Sequence, residues 1–431
     1  MMNFLINHTP LLYLTQSLWR DEAFSVLMSE PPLPEIIKLT VGDFNPPLYY
    51  FILHSWMRIF GNGEIAIRML SFIFHLALVY VCYKFAKALK FSRLFTFYFL
   101  LFTFLNPMLI YYAFEARMYS LLALLATTSM YFFYTKNWVP YVLTSALGLW
   151  AQPFMVFVLL AQGAYLLAKT EGQRGYLILT KKLKKEYLIS FLFIFLLFSL
   201  WLPVILFQLT RSGPMWIWPI NWTTVTTILG DLFTGYEGTP WDLWNKMKIL
   251  SLIILGLALF SRRLLFFLWL FLPVVLVLLI SYFKPIYVNR YLIFATVAEV
   301  FLIILGISSI KNQLVRNLFA IFFLLFTIFF NFWFPPLHKK LDLRMTVAEI
   351  KNLAKPADLV FSQTPLTFFE ATYYFPDRSR VFLYNPKGVE VPYYAGHNLI
   401  TKEKWVNAFP KYPRRAFLIH DDATFEVFSQ K

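Results

Sequence analysis

A chain of 431 residues that is 59% hydrophobic and only 14% charged carries more apolar surface than a water-soluble fold can hide, since soluble domains are about one-quarter charged. The net charge of +16 would in a soluble protein point to nucleic acid, but here the Lys and Arg residues fall between apolar runs, where orientation signals belong, so no nucleic-acid partner is expected. The lone cysteine, Cys82, excludes an intramolecular disulfide and a thiolate metal cluster and reads as a buried small hydrophobe.

In chain order, the first apolar stretch, 4–18, is interrupted by His8, Pro10 and Gln16 and lacks the basic start and small-residue exit of a cleaved leader. It reads as a tilted, partly submerged or truncated helix. The stretch 19–63 is polar and broken by Pro31, Pro32, Pro34, Pro46 and Pro47, which predicts short interfacial helices in a first outer loop. Apolar runs follow at 64–89, 94–113, 118–135, 139–168, 187–209, 247–260, 264–283, 290–309 and 317–334. Most match the span of a membrane-crossing helix, and 139–168 is long enough for two, with Gly148 and Pro153 marking where it turns.

Positive charge is dense in the short connections at 84–93, 136, 169–185, 262–263 and 311–316, which include Lys169, Arg174, Lys181 and Lys182 and are expected to face the cytoplasm. The opposite set, including Arg20, Arg117, Arg211, Lys284 and Arg290, is spread over longer loops. With 139–168 crossing twice, about eleven crossings result. The loops 19–63 and 211–245 and the C-terminal end then lie outside the cytoplasm of a plasma (inner) membrane. Beyond Pro335, short strands at 359–362, 381–384 and 416–420 and a helix at 346–353 predict a small α/β domain. The fold class is thus mainly α: a polytopic transmembrane helical bundle over 1–334 with a small soluble domain at 335–431. No internal repeat is visible, so the matched halves of a transporter are missing from the pattern.

Three constellations carry chemistry. Asp21 and Glu22, beside Trp19 and Arg20, and Asp43, just before Asn45-Pro46-Pro47, place carboxylates where partial dehydration favours general-base duty. Any exposed loop also contains acids, and that blander reading weighs more on the composition alone. Glu115-Ala116-Arg117-Met118-Tyr119 puts a guanidinium at headgroup level, suited to a lipid phosphate or to plain interfacial anchoring. Lys284 and Arg290, beside Tyr291, repeat the pattern in a later hairpin, and three such cations converging would make a phosphate pocket.

There is no P-loop and no G-x-G-x-x-G turn, so an activated donor is expected to come on a lipid carrier rather than on a nucleotide. The six histidines show no H-x-x-x-H spacing, and His420-Asp421-Asp422 reads as a solvated turn. No structural metal is expected. The loop carboxylates leave a divalent cation as the open cofactor question.

The stretches Ser17-Leu18-Trp19-Arg20-Asp21-Glu22-Ala23-Phe24-Ser25, Asp43-Phe44-Asn45-Pro46-Pro47-Leu48-Tyr49-Tyr50, Phe60-Gly61-Asn62-Gly63-Glu64-Ile65-Ala66-Ile67-Arg68 and Glu115-Ala116-Arg117-Met118-Tyr119 occur in one order over the first third of the chain. With Asn289-Arg290-Tyr291-Leu292 as a later element, the chain resembles the GT-C glycosyltransferases, in particular the dolichyl-phosphate-mannose protein mannosyltransferases and the lipid A aminoarabinose transferase. The resemblance implies an inverting transferase that takes sugar from a polyprenyl-phosphate donor to a lipid, glycan or protein acceptor at the outer membrane face. It implies Asp21 as general base, Glu22 and Asp43 as its support, and Arg117 as the donor-phosphate ligand with help from Lys284 and Arg290. Trp19, Asn45, Glu115, Tyr119 and Tyr291 would line the same site. Where many relatives carry a Thr-His-Tyr-like element, this chain reads Ala151-Gln152-Pro153. A flippase or transporter of lipid-linked glycans is the alternative, since it needs the cations but no base, and a non-enzymatic scaffold is a third reading.

Overall fold

The computed structural model describes residues 2–168, 174–210 and 216–431. The expected loop cations Lys169 and Arg211, and the side chains of Arg174, Lys181 and Lys182, lie outside the described residues. Two compact units are present, one of Met1–Leu11, Met69–Pro203 and Ile217–His338, the other of Leu12–Arg68, Val204–Trp216 and Lys339–Lys431. The division at 334/335 read from the sequence lies close to the break at His338/Lys339 between the two units. The last apolar helix, Gln313–Leu337, also runs through Pro335 and Pro336 to end three residues later than that boundary.

The first unit is a helical bundle. Among the described residues, six helices are long and apolar enough to cross a bilayer, including Leu183–Thr210, Leu264–Phe283 and Gln313–Leu337, and a seventh is formed if the pair Arg93–Leu105 and Pro107–Ala113, bent by 53°, counts as one span. The bend falls where Asn106, whose side chain accepts from the Leu109 N–H at 3.0 Å, starts a new helix at Pro107. Run 139–168 forms two helices, Trp138–Ala151 and Met155–Ala168. They part at Gln152–Phe154, as Pro153 predicts, while Gly148 lies inside the first helix and marks no turn. At 14 residues each they are shorter than the ~20 residues of an upright crossing.

Segment Asn289–Ser309 is the axis of the bundle, with 89% of its apolar window buried. Phe301 on it is ringed by Phe85, Phe99 and Phe266 at centroid distances of 5.0, 4.2 and 4.5 Å, an aromatic cluster that locks four helices. Cys82 is fully buried, as expected.

In the second unit, the proline-rich stretch folds into three short helices, Arg20–Ser29, Leu33–Val41 and Leu48–Phe60. The prolines sit at helix starts, where the missing N–H costs nothing. The C-terminal part is a five-stranded sheet of β1 (Leu359–Ser362), β2 (Val381–Tyr384), β3 (Trp405–Val406), β4 (Ala416–Ile419) and β5 (Phe425–Phe428). Their order is β3-β2-β1-β4-β5, with β5 alone antiparallel. β4 is buried throughout, as a central parallel strand should be. The His420-Asp421-Asp422 run is the turn between β4 and β5, its acids accepting from Thr364 and Thr424 hydroxyls at 2.6 Å.

Helix Pro365–Tyr374 follows β1, and the core it builds with the sheet includes Ala23, with Phe24 and Leu27 packed against it. Helix Arg20–Ser29 is thereby part of the sheet domain's own core, and its first turn is held by an ion pair with no exposure on either partner. Arg68 donates from Nε to Glu22 Oε1 at 2.8 Å and from Nη2 to Oε2 at 2.6 Å, and its remaining N–H groups reach the carbonyls of Leu14, Gln16 and Ser17 at 2.6–3.1 Å. A guanidinium has five donors, and all five are used. Removing one member of such a pair leaves an uncompensated buried charge, so Glu22→Ala or Arg68→Ala should each destabilise the second unit by about 3–5 kcal/mol. Arg68→Lys should rescue little, because one ammonium cannot span a carboxylate and three carbonyls. Melting curves of the purified variants, with the double alanine variant less damaged than the sum of the singles, check this.

Candidate functional site

Each unit carries a polar cluster that contains residues singled out by the sequence. In the second, Asp21 and Glu22 occupy the first turn of helix Arg20–Ser29, where the helix dipole favours carboxylates. Asp21 is half-buried, and its carbonyl accepts from the Ser25 hydroxyl at 2.8 Å. Glu22 is fully buried, and both of its carboxylate oxygens accept from Arg68. Its Oε2 also accepts from the Trp19 N–H at 3.4 Å and lies 3.8 Å from the Lys340 ammonium, which rests 4.4 Å over the Trp19 ring.

Asp43 is held by its own neighbours. The Tyr50 hydroxyl donates to Oδ2 at 2.8 Å and the Asn45 amide reaches it at 3.5 Å, while the Asp43 carbonyl accepts from Tyr393 at 3.0 Å and from Gln208. Glu370, on helix Pro365–Tyr374, is buried. Desolvation pushes its carboxyl up to about 8, against the opposing pull of the Arg20 charge, the Arg20 N–H and the Lys340 charge.

In the first unit, Arg117 and Arg290 are brought together from hairpins far apart in sequence. Their guanidinium carbons lie 5.9 and 6.0 Å from the centroid of the Tyr119 ring. Both residues are buried, and Arg290 Nε donates to the Tyr119 hydroxyl at 3.1 Å. The Tyr119 ring is flanked by Tyr112 at 5.0 Å and Tyr291 at 6.3 Å. Arg290 Nη1 meets both carboxylate oxygens of Glu237 at 3.2 and 3.3 Å. Glu115 is buried beside them in sequence, its carbonyl taking the Arg117 N–H at 2.8 Å.

Lys284 does not join this group: it is exposed at the C-terminal end of helix Leu264–Phe283 and makes no ion pair among the described residues. The reason is local. Arg290 lies in the largely buried segment Asn289–Leu292, whereas Lys284 caps a helix whose last turn is mostly on the surface.

Sequence reading passed over Arg68, Lys340, Glu237 and Glu370. Arg68 ends the stretch 60–68 but resembles any loop cation. Glu237 was marked only by its setting between Gly235 and Gly238. Lys340 and Glu370 come from the C-terminal domain and carry no signal near residue 20. Gln152 is buried at the break between helices. Among the described residues, no group of three His, Cys, Asp or Glu side chains is placed to hold a metal ion.

A bundle of apolar helices with a small terminal sheet domain makes the protein an integral membrane protein. The arrangement is that of ArnT from Cupriavidus metallidurans. Its apo structure aligns with a TM-score of 0.57 at 9% identity, and its structure bound to undecaprenyl phosphate with 0.61 at 10%, each covering 97% of this chain and 91% of that one. At such identity the likeness is one of fold. No family model and no curated relative matches the sequence.

The raised Glu370 pKa has a thermodynamic consequence. Between the ordinary carboxyl pKa near 4.5 and about 8, the folded state holds one proton more than the unfolded state, so stability should fall as pH rises through that window. The Glu370→Gln variant should lose this slope. Melting temperatures from pH 5 to 8 should decline less for the variant than for the wild type.

Proposed function

We propose that the protein is an inverting glycosyltransferase that moves a sugar from a polyprenyl-phosphate carrier to a lipid, glycan or protein acceptor at the outer face of the membrane. The observation that carries the reading is the pair of buried arginines, Arg117 and Arg290, over one tyrosine ring. It occurs in a fold shared with ArnT, one structure of which holds undecaprenyl phosphate. Two guanidinium groups suit a lipid phosphate in a poorly hydrated setting, because their planar donors match its oxygens.

Asp21 takes the acceptor's hydroxyl proton as that oxygen attacks the anomeric carbon, and the bond from that carbon to the carrier oxygen breaks with its electron pair going to the phosphate. Arg117 and Arg290 stabilise the charge that gathers there. A single displacement inverts the anomeric centre and leaves no covalent sugar on the enzyme. Glu22, clamped by Arg68, fixes the turn that presents Asp21, and Asp43 supports the acceptor. The dense cations at 84–93 and 262–263 favour the opposite, cytoplasmic side, which puts the sheet domain outside.

The flippase reading keeps the arginines and has no use for Asp21, so one substitution separates the two. Purified protein supplied with a polyprenyl-phosphate sugar and candidate acceptors should show transfer. Asp21→Asn should lower turnover by about 100-fold or more with donor binding retained. Arg290→Ala should instead weaken donor binding. Undiminished transfer by the Asn variant removes Asp21 from the mechanism.

A further inference from the structure

Arg290 faces an acid for which the transfer reaction has no use. Glu237 accepts from Arg290 Nη1 at 3.2 and 3.3 Å and from the Tyr112 hydroxyl at 3.2 Å. Converging donors of this kind, one a guanidinium, would serve a phosphate oxygen as well as a carboxylate oxygen.

The two partners differ in freedom. The Arg290 side chain is 9% exposed and tied to Tyr119, and its neighbour Asn289 donates to the Tyr236 carbonyl at 2.6 Å. The Glu237 side chain is 32% exposed. It sits on the loop between helices Trp222–Thr234 and Trp244–Ser261, between Gly235 at φ +73° and Gly238 at φ +91°. Those left-handed conformations are open to glycine without strain, and they let one residue turn its side chain onto the arginine from a loop. A fixed buried cation thus meets an anion that can swing into water.

We propose that Glu237 is a built-in competitor for the carrier's phosphate, occupying Arg290 and Tyr112 when no carrier is bound and determining which form of the carrier is kept. The inference rests on the transferase reading. A sugar-bearing carrier is a phosphodiester with one negative charge, whereas the spent carrier is a phosphate monoester with about −1.5 to −2 at neutral pH. A carboxylate beside the site repels the spent form more strongly than the loaded form. It therefore favours exchange of product for fresh donor, at the cost of weaker binding of both.

The test uses the purified full-length protein, undecaprenyl phosphate as the monoester and a polyprenyl-phosphate sugar as the diester. Dissociation constants are measured for the wild type, Glu237→Gln, Glu237→Ala and Glu237→Asp. Both neutral variants should bind the monoester about tenfold tighter, and the diester by a smaller factor. Their turnover should fall with stronger inhibition by added monoester, and Asp should keep the wild-type preference. Equal or weaker monoester binding by both neutral variants, with the wild type binding and transferring normally, overturns the inference and leaves the transferase reading standing. A wild type that binds neither lipid overturns both.

Discussion

The enclosed ion pair between Glu22 and Arg68 is the constraint on which the second unit depends. Taking two charges out of water costs several kcal/mol, and the structure offsets this by spending every guanidinium donor on a carboxylate oxygen or a backbone carbonyl. The carbonyls of Leu14, Gln16 and Ser17 belong to the chain entering helix Arg20–Ser29, so one side chain fixes the approach and the start of that helix together. Asp21 is the adjacent residue. Its orientation follows from that of Glu22, because neighbours on a helix point about 100° apart and cannot move independently.

The sheet domain supplies the other half of this support. Phe368, Phe369 and Ala371 share a core with Ala23, Lys340 lies over Trp19, and Glu370 takes the Arg20 N–H. A domain that reads as an accessory from its sequence thus contributes side chains to the surroundings of the candidate base. Its burial of Glu370 also makes those surroundings sensitive to pH near neutrality.

The arginine cluster of the first unit follows a different rule. Two guanidiniums near one ring repel each other, and the arrangement is stable only with anions and aromatic faces at hand. Tyr119 and Glu237 provide these in the protein alone.

From the sequence alone came the membrane class, the apolar runs, the terminal sheet domain with its strands β1, β2 and β4, and a set of conspicuous charges that includes Asp21, Arg117, Lys284 and Arg290. Those features are local: length and apolarity decide a crossing helix, alternation and turns decide a strand, and a charge next to an apolar run is conspicuous. Tertiary structure alone decided that Glu22 is buried by Arg68, that Arg290 joins Arg117 while Lys284 stays exposed, and that Lys340, Glu237 and Glu370 enter the clusters. These outcomes depend on partners from 46 to 350 residues away, and a charged side chain bears no mark of which opposite charge it will meet until the helices have packed.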